Sequence, residues 1–327
     1  MKQSLHSLLR RCLFLLVVTL SLHLSSYSQD ELKNTTEAGI TVGPMVFLGD
    51  LGGHMGKGTT FIKDYNMSTT KLAFGAYYTA YPAPWLGFRF SLNFGSIEGA
   101  DNEIKQKGGT GDEQTRLARN LDFRSKIIEG TVMAEVYPTV FLEDEPDDVA
   151  GRLRPYGVIG LGLYHFNPQG SYRDPSTGDV YWVDLKPLHT EGEGWAEYPD
   201  RKNYSLTQLN IPMGVGIKYF FSENVNVSFE IIHRKLFTDY VDDVSTKYVD
   251  PTLFDKYLSP SQAQIAKSIS NKSAQGYNTL GYQKNAKRGD PSQNDAYFTA
   301  GFKIGFRIGG GSEQRWRNST HCPLLRF

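Results

Sequence analysis

From Leu86 onward the chain alternates strictly. Leu86, Phe88, Phe90, Leu92 and Phe94 share one face, and Gly87, Arg89, Ser91, Asn93 and Gly95 share the other. A period of two held this long marks an extended strand whose two faces meet different surroundings. The segment from Thr207 repeats it, with Leu209, Ile211, Met213, Val215, Ile217 and Tyr219 opposed by Gln208, Asn210, Pro212, Gly214, Gly216 and Lys218. Phe298 to Ile308 repeats it again, with Phe298, Ala300, Phe302, Ile304, Phe306 and Ile308 facing away from Thr299, Gly301, Lys303, Gly305 and Arg307. Strands of about 9–11 residues, apolar on one side and small or polar on the other, are what a lipid-facing barrel needs. Such a barrel satisfies its backbone between strands and shows hydrocarbon outward.

Eight such segments are predicted, at 39–51, 70–81, 85–96, 126–138, 154–166, 206–221, 225–237 and 295–309. The first and fifth alternate less cleanly, and the pattern leaves their facing open. Connections alternate between short and long. Pro82-Ala83-Pro84, Ser222-Glu223-Asn224 and an acidic loop from Glu143 to Asp148 are the short ones; 52–69, 97–125, 167–205 and 238–294 are long. The expectation is an all-β fold, an eight-stranded antiparallel transmembrane β-barrel with long extracellular loops, short periplasmic turns and both termini in the periplasm. Tyr81, Trp85, Tyr137, Phe141, Phe220 and Phe221 cluster near the short turns and are predicted to form the aromatic girdle of that interface. A soluble barrel of lipocalin type would turn the Phe and Ile faces inward, where eight strands leave little room for them.

Lys2, Arg10 and Arg11 precede an apolar run from Cys12 to Leu20, and Ser26-Tyr27-Ser28 follows. This reads as a secretory signal peptide over residues 1–28, with a core too short to span a bilayer. The barrel is then assigned to 29–309, and Gly309-Gly310-Gly311 introduces a flexible tail over 310–327. The whole chain carries 35 basic and 35 acidic side chains. The leader holds three cations and no anion, so the remainder has a net charge near −3. That balance gives no field for nucleic acid. Cys12 falls in the leader, and Cys322 is left without an intramolecular disulfide partner.

With the apolar faces outward, Arg89, Glu129, Glu135, Lys218, Glu230, Arg234, Lys303 and Arg307 project inward. Buried charges must be paired and hydrogen-bonded. A barrel of this size is therefore expected to be plugged by a salt-bridge network, with a narrow pore as the alternative. Signals of catalysis are weak. His165 and His233 fall on different strands, no Gly-x-Ser-x-Gly element occurs, and Gly56-Lys57-Gly58-Thr59 lacks the spacing of a phosphate loop. Glu143-Asp144-Glu145, Asp147-Asp148 and Asp242-Asp243 lack the ligand pattern of a calcium loop and are expected to be solvated. Arg288-Gly289-Asp290 reads as loop sequence. Ser259-Pro260 opens a predicted short helix through Ile269, inside a long connection expected to fold as a cap. Neither enzyme activity nor a cofactor is expected.

Several stretches together resemble the PorG-like outer-membrane barrels of the Bacteroidetes type IX secretion system. They are Gly49-Asp50-Leu51, NLDFRSKIIEGTVMAEVYP from Asn120, RPYGVIGLGLYHFNP from Arg154, LKPLHTEGEG from Leu185, YSLTQLNIPMGVGIKY from Tyr204 and RKLFTDYVDDVSTKYVD from Arg234. The resemblance implies an eight-stranded barrel without known catalysis, set in outer-membrane lipid beside a periplasmic ring built by a lipoprotein and its partner. It also implies support for export of proteins that carry a C-terminal sorting domain. Topology and resemblance together make Glu143, Asp144, Asp147 and Asp148, with the turns 82–84 and 222–224, candidate periplasmic docking surfaces.

Overall fold

The computed structural model describes residues 35–51, 68–104, 112–142, 153–222, 224–273 and 283–308. The expected leader, the 310–327 tail, Gly56-Lys57-Gly58-Thr59 and the docking candidates Glu143, Asp144, Asp147 and Asp148 lie outside them.

Eight strands close a barrel: β1 (Thr35–Leu48), β2 (Lys71–Ala83), β3 (Leu86–Ala100), β4 (Asp122–Val136), β5 (Leu153–His165), β8 (Thr207–Phe220), β9 (Val225–Leu236) and β10 (Ala296–Ile308). Their order is β3-β2-β1-β10-β9-β8-β5-β4, and β3 pairs β4 to complete the circle. Every pairing is antiparallel. The seam runs from Thr36 opposite Ile308 to Leu48 opposite Ala296. A hairpin of β6 (Pro168–Arg173) and β7 (Val180–Asp184) extends the sheet past β4 at the long-loop end, and β7 is its edge strand among the described residues.

The outer surface is an apolar belt. Ile40, Phe74, Phe90, Leu161, Leu209, Val215 and Phe302 each keep more than half of their area exposed. A belt this large cannot face water, and it fixes the facing of the two ambiguous strands. β1 turns Ile40 and Val42 out and Glu37 in, while β5 turns Ile159, Leu161 and Leu163 out and Tyr156, Val158 and Tyr164 in. The lipocalin alternative fails on this facing.

Several strand bounds differ from the sequence expectation: β3 runs on to Ala100 rather than 96 and β4 starts at Asp122 rather than 126, and two further differences bear on the site. β1 starts at Thr35 rather than 39, which draws Glu37 into the barrel. β2 continues through Pro82 and Ala83, so the turn is Pro84-Trp85, with a register irregularity between Ala80 and Ala83. A bulge accommodates the missing N–H of Pro82.

Inward glycines make room for tyrosine rings. A Cβ on Gly216 would come within 2.4 Å of the Tyr156 ring, its registered neighbour on β5. Gly216→Val should therefore displace Tyr156 and cost about 1–3 kcal/mol of barrel stability. A urea unfolding titration from vesicles checks this; an unchanged midpoint would show the ring to be free to move aside.

The long loops fold into a cap that contains α1 (Asp112–Arg119), α2 (Thr252–Tyr257) and α3 (Pro260–Ser270). Ser259 caps α3, Gln262 reaches back to it, and Pro260 sits at the first helical position. Ala263, Ala266 and Ile269 of α3 are buried. They belong to one continuous apolar core that begins in the upper lumen with Met45, Ile97, Ile127 and Tyr297 and rises through Phe123 and Phe166 to Trp195 and Phe254. Cap and barrel are thus packed as one body.

Candidate functional site

The lumen is filled by charged and tyrosine side chains in three layers. Nearest the short turns, Lys218 Nζ lies 3.0 Å from Glu37 Oε2 and donates to Tyr81 Oη at 2.6 Å. Tyr77 and Asn226 also donate to Glu37, at 2.8 and 3.0 Å. In the middle layer, Arg89 joins Glu135 through Nε at 2.7 Å and Glu230 through Nη1 at 2.8 Å. Lys303 Nζ stands 3.5 Å from Glu135 and 3.4 Å from Glu230, over the Tyr77 ring. Tyr137 donates to Glu135, and Tyr156 donates to Glu230 at 2.8 Å. In the upper layer, Glu129 accepts from Arg234, from Asn210 at 2.7 Å, from Tyr297 at 3.0 Å and from Asn93 at 3.1 Å.

Seven of the eight predicted interior charges are buried in this network: Arg89, Glu129, Glu135, Lys218, Glu230, Arg234 and Lys303. Arg307 stands apart. It is only half-buried, forms no ion pair among the described residues, and rests its guanidinium 4.4 Å over the Phe220 ring. Glu37, outside the predicted segment, takes its place in the balance. Four carboxylates then face four cations, and the lumen is neutral. Glu37 was available to the pattern, since Glu37, Gly39, Thr41 and Gly43 continue the inward face opposite Ala38, Ile40 and Val42.

Tyr81 and Tyr137 correct a second expectation. They are buried in the lumen with their hydroxyls on the charges and are not part of an outward girdle. Trp85 and Phe141, with ring centroids 5.9 Å apart, do face outward at that end. Between the middle and upper layers a cavity of about 30 Å³ is bounded by Arg89, Asn93, Glu230 and Arg234, room for a water molecule and no more than a small cluster.

The two histidines do not meet. His165 faces out on β5 and shares a 3.0 Å hydrogen bond with Thr207, and His233 lies on the outer face of β9.

Three comparisons bear on identity. No known family profile matches the chain, and no curated protein sequence matches it. Among solved structures, a major outer membrane protein of Thermus thermophilus is similar at 12% identity and a TM-score of 0.38, covering 84% of this chain and 99% of that one. Ail, the attachment invasion locus protein of Yersinia pestis, is similar at 9% identity and a TM-score of 0.33, covering 84% and 99%. The outer membrane protein OprG of Pseudomonas aeruginosa is similar at 11% identity and 0.31, covering 85% and 98%. The fold assignment rests on the strand pairing of this chain itself.

The cap holds the second charged cluster. Asp242 and Asp243, expected to be solvated, are fully buried. Asp242 accepts backbone N–H bonds from Leu51 and Val244, and Asp243 accepts from Tyr204 at 2.6 Å and from Thr190. These local backbone and hydroxyl donors are what replaced water. Arg288 is likewise buried and pairs with Glu191 at 2.9 Å, so it is a structural post and not loop surface. Asp239, Asp242 and Asp295 have no cation within salt-bridge distance among the described residues. Burial pushes the Asp239 carboxyl up to about 9, with the Asp242 and Asp50 carboxylates adding to it. Burial and neighbouring carboxylates raise Asp242 and Asp295 well above the usual range, and burial carries Asp243 to about 6 against the pull of Arg288. No group of three acidic, histidine or cysteine side chains among the described residues is arranged to hold a metal ion. On the cap surface, a cleft of about 700 Å³ is lined by Glu197, Tyr198, Arg201, Lys247, Lys284 and Lys287, among others.

Proposed function

We propose that this chain is a non-enzymatic outer-membrane barrel that anchors a periplasmic assembly of a type IX-like protein secretion machinery, with a lipoprotein ring as partner. The observation that carries the reading is the lumen. Four acids and four bases neutralise one another across it, fully buried side chains fill the section, and a cavity of about 30 Å³ lies among them. A barrel plugged in this way acts through its ends. The resemblance to PorG-like barrels directs the short-turn end, with Glu143, Asp144, Asp147 and Asp148, toward the periplasm and toward that ring.

Two measurements test it. The protein in planar bilayers should show no steady ohmic conductance. A tagged copy taken from its own membranes in mild detergent should retain a periplasmic lipoprotein, and charge reversal at Glu143, Asp144 and Asp147 should release it. A barrel that conducts, or that always emerges alone, sinks the anchor. In that case a second reading takes over, a stand-alone barrel whose cap binds a ligand or surface, favoured by the cleft of mixed charge lined by Glu197, Asp200, Arg201, Lys247 and Lys284.

A further inference from the structure

At the long-loop end of the belt, β4 departs from its own pattern. Val136, Val132 and Ile128 face outward along the hydrocarbon zone, and the next two outward positions are Lys126 and Arg124. Lys126 is exposed, and its ammonium has no ion pair among the described residues. Arg124 donates through Nε to Gln169 Oε1 at 3.1 Å and stacks 4.3 Å over the Trp182 ring on the edge strand β7. Stacking and the Nε bond fix the guanidinium plane while its Nη edge makes no hydrogen bond to a described residue. Such an edge matches two oxygens of a phosphate.

The acids nearby are engaged elsewhere. Glu98, opposite Arg124 on β3, pairs with Lys71 at 2.8 Å. Asp184 accepts from Gln169 at 2.8 Å, and Asp122 is held by Lys272 and Ser171. Asp184 meets only the neutral Gln169 amide and keeps its charge, so Lys71, Arg124, Lys126 and Lys272 stand against Glu98, Asp122 and Asp184, and one positive charge remains in excess on this flank. Beneath them Ile128, registered with the outward His165, and then Leu163, registered with Gly130, are about half exposed within the belt. An occupant must satisfy both levels, with an apolar body against Ile128 and Leu163 and an anionic head against the two cations. That description fits an amphiphile and not a soluble anion. Trp182, a third exposed, supplies the ring that prefers the boundary between the two zones.

We infer that Lys126, Arg124 and Trp182 form a binding site for the phosphate-bearing headgroup of a membrane lipid, on the flank of the barrel where β4 meets the β6–β7 hairpin. The inference rests on the outer-membrane reading above. It assigns the hairpin a task, namely to hold Trp182 against Arg124 at the headgroup level.

The test uses the full chain folded in detergent micelles and titrated, under native mass spectrometry, with bis-phosphorylated lipid A and with the same lipid A dephosphorylated. The phosphorylated form should bind about tenfold more tightly. Lys126→Gln, whose side chain makes no bond to a described residue, should erase most of that preference, and the Lys126→Gln/Arg124→Gln pair the rest. Lys235→Gln, an exposed outward cation on β9, should leave it intact. Equal binding of both lipids by a folded, protease-resistant barrel overturns the site and leaves the membrane reading standing. Loss of preference in Lys235→Gln overturns it in favour of diffuse rim charge. A chain that never becomes protease-resistant in micelles overturns the membrane reading and the site with it.

Discussion

Glu135→Gln should be among the most damaging single changes in this barrel, costing about 3–5 kcal/mol of stability. Glu135 lies between Arg89, Lys303 and Lys218, at 2.7, 3.5 and 3.9 Å, and is fully buried. Neutralising it leaves four cations against three carboxylates in a space that water barely enters, and like charges then repel at close range. Folding into vesicles, followed by the shift of the heat-modifiable band on a gel, should show a large loss of folded protein. A compensating change separates charge from packing. Glu135→Gln with Lys303→Met restores neutrality and should recover more than half of the loss. If the double variant is no better than the single, the carboxylate matters for its hydrogen bond with Tyr137 and not for the balance.

The cap should become more stable on acidification, the reverse of ordinary acid unfolding. A carboxyl whose folded pKa lies above its unfolded one, near 3.9, contributes stability that is complete below the unfolded value. That contribution is lost as pH rises through the folded value. For Asp239 the window closes at about 9, and for Asp243 at about 6; Asp242 and Asp295 act in the same sense. Each extra proton held by the folded cap gives a slope of about 1.4 kcal/mol per pH unit. Asp250 and Asp290 act the other way. They are half-buried near the surface, held down to about 2 by Thr252 and by Ser292, and their contribution is lost only below about pH 4. Hydrogen exchange across residues 238–246 should therefore show protection rising from pH 9 to pH 5. Asp239→Asn should flatten that dependence and raise protection at pH 9. Protection that falls over the same range, with the variant indistinguishable, would remove the buried carboxyls as its cause.

How much of this was legible in the sequence follows from how many environments each residue meets. A barrel strand has lipid on one side and lumen on the other, so Phe88, Phe90 and Leu92 alternate with Arg89, Ser91 and Asn93 and cannot be misread. Tyrosine fits either face. Tyr81 and Tyr137 look like girdle residues by position, and only pairing across strands shows their hydroxyls on Glu37 and Glu135. The β6–β7 hairpin was hidden for a different reason. It stands at the rim, where neither face is uniformly apolar, although Asp174-Pro175-Ser176-Thr177-Gly178-Asp179 is a turn signal, closed by the Gly178 N–H on Asp174 O at 2.8 Å. Asp242 and Asp243 look like surface charge in one dimension. Their burial depends on Leu51, Thr190 and Tyr204, which arrive from other loops.

The seam between β1 and β10 has a consequence for assembly. Until β1 docks, the lumen holds three carboxylates and four cations, and Lys218 lacks its closest acid. Slipping the seam by one residue would turn Glu37 into hydrocarbon and Ile40 into the lumen. Only the native register therefore delivers the eighth charge to the site that lacks it. A misaligned seam is therefore costly in both charge and burial, and the closed circle proofreads its own register.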